Sequence, residues 1–151
     1  MINIDYMKLA IEIAKKSGQD LPVGAVLVKD NEIIAIAHNE KELHNQVSKH
    51  AEMIVIERAS KKLKNWRLDG CILYVTLEPC PMCAWAILQS RISEVYFGSF
   101  DNLYGALGSK LNLRIYLNSK TTVKGGIMEQ ECDNLLTQYF EKMRNDNKTK
   151  A

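Results

Sequence analysis

No apolar run in the chain approaches the roughly 20 residues that a helical membrane span requires. The first residues, Met1-Ile2-Asn3-Ile4-Asp5-Tyr6, lack the basic flank and apolar core of a signal peptide, so a cytoplasmic location is expected. Cysteine is sparse, at four in 151 residues. That is too few for a disulfide scaffold in a chain of this length, and a reducing compartment suits thiols that serve as ligands. A second C-x-x-C pair, which would complete a structural zinc knot, is missing. Excess charge is small, at +2. Such a balance permits nucleic-acid binding without arguing for it.

What is present describes one globular domain, residues 1–151, with 46% hydrophobic and 25% charged residues. Apolar positions between 4 and 16 recur at helical spacing, with Asp5 near the start and Gly18 past the end. Residues 21–28 read as a buried strand starting at Pro22, Asp30-Asn31 as a turn, and 33–37 as the returning strand of a hairpin. Residues 40–49 read as a loop, and 50–63 as a helix ending in the solvated basic cluster Lys61, Lys62 and Lys64. Trp66 is expected to pack. Cys71–Leu77 is a strong buried strand with Cys71 in the core, followed by a helix from Cys80 to about Arg91 and a short strand at 95–98. Strand, helix and strand in that order predict a parallel crossover. An initial hairpin joined to it predicts a mixed sheet with helices on both faces. Residues 99–120 look irregular, residues 121–123 suggest an edge strand, and 129–144 a final amphipathic helix. From about 142 to 151 the chain reads as a basic tail, with Lys142, Arg144, Lys148 and Lys150 outnumbering Asp146.

Chemistry concentrates in two stretches, His50-Ala51-Glu52 and Pro79-Cys80-Pro81-Met82-Cys83. Cys80 and Cys83 stand three positions apart, one turn along the same helix face. The bracketing prolines put Cys80 near a helix start, where the helix dipole favours thiolate. Glu52, two positions beyond His50, does not share its helix face. The ligand set is therefore His50, Cys80 and Cys83, with Glu52 left to reach a water from the side. Structural zinc sites usually close with four protein ligands, whereas catalytic ones use three and keep a position open. A redox dithiol would account for the cysteines but not for His50-Ala51-Glu52. His38 and His44 fall outside the pattern and read as loop or surface residues.

The H-x-E … P-C-x-x-C arrangement is the signature of zinc nucleobase deaminases. Over nearly its whole length the chain resembles the bacterial tRNA adenosine deaminases. The likeness runs through Leu21-Pro22-Val23-Gly24-Ala25-Val26-Leu27-Val28, Asn39, Trp66-Arg67-Leu68 and Leu73-Tyr74-Val75-Thr76-Leu77-Glu78 into the cysteine motif. It continues through Phe97-Gly98, Gly125-Gly126-Ile127, Glu131-Cys132 and Leu135-Leu136. The segment Asp101 … Gly105-Ala106 … Gly108-Ser109 is what points to the tRNA branch. The resemblance implies an α/β fold of the cytidine deaminase type, a three-layer α/β/α sandwich around a mixed, mainly five-stranded sheet. It also implies one zinc ion per subunit, a homodimer, and a tRNA anticodon loop as the partner. The implied reaction is adenosine to inosine at the wobble position, in an arginine tRNA.

The same resemblance assigns roles. Glu52 takes the water proton and passes it to the base and the leaving amine. Asn39 contacts the target nucleoside, Asp101 lies in the loop receiving the anticodon backbone and ribose, and Phe140 on the last helix is a candidate RNA contact. By residue type alone, Asn39 is equally a turn asparagine, Asp101 a loop aspartate and Phe140 a core ring. Three positions depart from the family pattern: Leu103 where lysine is usual, Trp85 where a small residue is usual, and the segment from Ser109 to Thr122, which is short of the usual His-containing stretch. The rival readings are a free guanine or cytosine deaminase built on the same signature, and a non-catalytic zinc subunit of an editing complex, which would not need Glu52.

Overall fold

The computed structural model describes residues 2–150, with side chains described for 2–148. Eleven elements follow in order: α1 (Ile4–Ala14), β1 (Gly24–Lys29), β2 (Glu32–His38), α2 (Lys41–His44), α3 (Ala51–Leu63), β3 (Cys71–Leu77), α4 (Pro81–Gln89), β4 (Glu94–Ser99), α5 (Arg114–Leu117), β5 (Thr122–Lys124) and α6 (Glu129–Lys150). The five strands form one sheet in the order β2-β1-β3-β4-β5. β1 pairs antiparallel with β2 and β3, and β4 pairs parallel with β3 and β5. The sheet is mixed, as the sequence pattern predicts. The two-residue turn Asp30-Asn31 has positive φ at both positions, the backbone that closes a tight hairpin with the right twist.

Alternation along the strands builds two cores, because successive side chains of a strand point to opposite faces. Ala25, Leu27, Leu73, Val75, Val95 and Phe97 face Ala51, Val55, Ala84 and Ile87 of α3 and α4. Val26, Val28, Tyr74 and Tyr96 face Met7, Ala10, Ala14, Cys132 and Leu135 of α1 and α6. The result is an α/β/α sandwich.

Packing of α1 on β1 is close enough to require glycine at position 24. A Cβ there would overlap the Ala10 carbonyl oxygen and lie 2.8 Å from the Ala14 nitrogen. Both obstacles are backbone, so neither can rotate aside. Gly24→Ala is expected to destabilise the fold by about 2 kcal/mol or more, within the range for overpacked cores. A urea titration checks this, and an unchanged midpoint would refute it.

Several boundaries differ from the sequence reading. β1 starts at Gly24, not Pro22, which has no N–H to give the ladder. The expected loops at 40–49 and 99–120 each contain a single helical turn, α2 and α5. The expected basic tail is a continuation of α6, which runs unbroken to Lys150; that side chain lies outside the described residues. Trp66 does not pack in the core. It is 61% exposed, with the Arg67 guanidinium 5.5 Å from its ring centroid. Among the described residues no helix is long and apolar enough to cross a membrane.

Candidate metal centre and cavity

Two helices begin at one place beyond the carboxyl end of β3. Cys80 is the N-cap of α4, with Pro81 in the first turn, where its missing N–H removes no intrahelical bond. His50 is the N-cap of α3. Their convergence sets His50 Nδ1 3.7 Å from Cys80 Sγ and 3.5 Å from Cys83 Sγ. On a tetrahedral zinc ion, ordinary Zn–N and Zn–S bonds place nitrogen and sulfur about 3.6 Å apart. The donor set and its spacing therefore fit zinc. All three donor atoms lie within 4.8 Å of one another.

The proton inventory suits a metal site. The Cys80 thiol is pushed down to about 4, chiefly by the hydrogen bond with Cys83 and further by the one with His50. Cys83, holding the proton of that pair and buried, is pushed up. The bond to Cys80 raises His50. Two thiols sharing one proton bind a cation by releasing it. Glu52 lies in the first turn of α3 and is 4% exposed. Burial pushes its carboxyl up to about 7. A carboxyl poised there can take a proton at neutral pH and give it back.

His50, Glu52 and Cys80 line a cavity of about 330 Å³, which Asn39, Asp101, Leu77 and Val23 also wall. That is within the range of small-molecule sites, roughly 300–1,000 Å³. Cys83 sits behind, fully buried. Asn39 is held by both ends of its amide. Its Nδ2 donates to the Leu21 carbonyl at 2.9 Å, and its Oδ1 accepts from the Ala51 N–H at 2.8 Å. The second bond satisfies an N–H in the first turn of α3 and fixes the start of the helix that carries Glu52. Asn39 is thus neither the self-bonded turn asparagine nor a freely swinging side chain. Asp101 closes its own turn, with Oδ1 accepting from the N–H groups of Leu103 and Tyr104 at 3.0 Å each.

Phe140 lies outside the cavity wall. It is 50% exposed on α6, which removes the core reading, and stacks edge-on against Tyr139. Tyr139, which the sequence reading missed, does line the cavity, and its hydroxyl donates to the Gln19 carbonyl at 3.1 Å. Leu103 is exposed in the Asp101 turn, and Trp85 is partly exposed on α4. Glu78 was also missed. It is 1% exposed, lines the cavity and directly follows β3. Its marks in the sequence were a carboxylate directly after a mostly apolar run and a place in the stretch that carries the family likeness.

A three-ligand metal centre with a buried carboxylic acid beside it, at two helix starts over a mixed sheet, defines the class of zinc-dependent base deaminases. The comparisons narrow the class. Residues 2–99 match the cytidine and deoxycytidylate deaminase zinc-binding region. A tRNA-specific adenosine deaminase from Bacillus subtilis is 47% identical over 147 residues, covering 95% of this chain and 91% of the relative. A solved tRNA:A34 deaminase, from work on A-to-I editing at the wobble position, superposes with a TM-score of 0.82 at 38% identity, covering 89% of this chain and all of that one. A guanine deaminase structure from Bacillus subtilis reaches a TM-score of 0.63 at 39% identity and covers 66% of each chain. The chain belongs to the tRNA-specific adenosine deaminase family of the cytidine and deoxycytidylate deaminase fold, and its cofactor is zinc.

Proposed function

We propose that this protein deaminates adenosine to inosine at the wobble position of a tRNA, an arginine tRNA being the first candidate. The observation that carries the substrate is the near full-length likeness to tRNA-specific adenosine deaminases, which includes the Asp101–Ser109 loop and α6. His50, Cys80 and Cys83 would hold the zinc ion. When bound, zinc supplies the Lewis acidity that makes water nucleophilic near neutral pH. Glu52 takes one proton of the attacking water and delivers it to the purine ring nitrogen, and then carries the second proton of that water from the new hydroxyl to the departing amine. Asn39, fixed at the wall, presents its amide to the base. Asp101 shapes the loop that receives ribose and backbone. Phe140, on the solvent side of Tyr139, offers a ring on which an unpaired base can stack. We further read the active form as a cytoplasmic homodimer of one domain per subunit with one zinc ion each.

A second reading, a free guanine deaminase, has the guanine deaminase structure in its favour, although that likeness spans a smaller share of the chain. Inosine formation on an arginine tRNA transcript with adenosine at the wobble position decides between them, with guanine and cytosine assayed alongside. Inosine at that position alone is the expected result. Ammonia from a free base with the tRNA untouched would overturn the substrate and keep the deaminase chemistry.

A further inference from the structure

The loop between β4 and α5 has little regular structure, yet it supplies Asp101 and Tyr104 to the cavity. It is gathered around one side chain. The Glu78 Oε1 accepts from the Asp101 N–H at 3.2 Å and from the Ser109 hydroxyl. The Oε2 accepts from the N–H groups of Leu107 at 3.1 Å and Ser109 at 3.0 Å. Four donors from three loop residues thus meet a single buried carboxylate. Gly105 makes room for it: a Cβ at that position would lie 2.6 Å from Oε1 and overlap the carboxyl carbon. The backbone around Glu78 is tied to the same loop. The Glu78 N–H donates to Ser99, and the Pro79 carbonyl accepts from Ala106, at 2.9 Å each. Two residues on from Glu78 comes the metal ligand Cys80.

We infer that Glu78 is a positioning residue that sets the Asp101–Ser109 loop at a fixed distance from the metal centre, and so governs substrate capture without holding metal or moving protons. The inference rests on the tRNA reading only for its kinetic arm. A carboxylate is needed because each oxygen already takes two donors. In a glutamine, one of those oxygens becomes an NH2. One orientation then faces it with the Leu107 and Ser109 N–H groups, and the other with the Asp101 N–H. Either way a buried donor loses its acceptor.

The test compares wild type, Glu78→Gln and Ser109→Ala, each loaded with zinc. Amide hydrogen exchange should show tenfold or greater loss of protection at residues 101–109 in Glu78→Gln, with β1 and β3 unchanged and zinc still at one per chain. On the tRNA transcript, KM should rise tenfold or more while kcat changes less than threefold. Ser109→Ala should move both readouts in the same direction by a smaller factor, and it decides the matter if Glu78→Gln does not fold. Unchanged loop protection, loss of zinc, or a fall in kcat at constant KM would each overturn the inference. If wild type leaves tRNA untouched, the substrate proposal fails by itself, and loop protection in the two variants still decides the role of Glu78.

Discussion

Glu52→Gln is expected to keep its zinc and lose turnover by about a thousandfold or more, the upper part of the range for removing a general acid–base. The three donor atoms come from His50, Cys80 and Cys83, and Glu52 lies two residues past the first of them, on a different face of α3. Its replacement therefore takes nothing from the metal. What it removes is a carboxyl at the cavity that burial has raised to about 7. Glutamine has nearly the same volume and can still donate a hydrogen bond, so the packing of α3 against β1 and β2 should persist. Zinc content by metal analysis and rate on the tRNA transcript are read from the same preparation. Loss of zinc would contradict the assignment of Glu52 as a proton carrier, and retained turnover would remove it from the reaction.

Cys83→Ala is expected to take the opposite course. Zinc should fall from one to near zero per chain, and deamination should fall below detection. Cys83 Sγ is one of three donors, and two remaining ligands make a poor site for an ion that prefers four. The thiol is wholly buried in the first turn of α4, so alanine also leaves a small void. The thermal midpoint should drop for both reasons, because a metal that binds only the folded chain stabilises it. The diagnostic pairing is a wild-type protein stripped by chelator. It should match the variant in activity and recover when zinc is returned, whereas the variant should not. A variant that retained one zinc and full rate would show that Cys83 is not a ligand.

Some of this protein was legible in the chain because the information is local. Cys80 and Cys83 share a helix face through spacing alone, and Pro81 marks the helix start between them. The apolar runs at 25–28, 73–75 and 95–97 are readable as buried strands, whereas the core that each side chain enters is given by the fold. Glu52 stands off the ligand face by simple helical geometry. Boundaries were harder. Single-turn helices such as α2 and α5 carry too few residues to show a period, and α6 runs past 144 on a stretch whose polarity imitates a tail.

The sequence by itself pointed to the mixed sheet, through the order of its strands and helix, and to His50, Cys80, Cys83 and Glu52 as candidate site residues, through two short motifs and the resemblance they carry. Only the tertiary structure decided which residues wall the cavity and in what role. The Tyr139 hydroxyl meets Gln19 across 120 positions of chain, and Glu78 gathers a loop 23 to 31 positions away. Asn39 is held by partners 18 and 12 positions off on opposite sides. No local pattern encodes such meetings. The meeting at Glu78 arises because β3 and β4 lie side by side in parallel, with Leu77 opposite Ser99, so the residue after one strand faces the loop after the other.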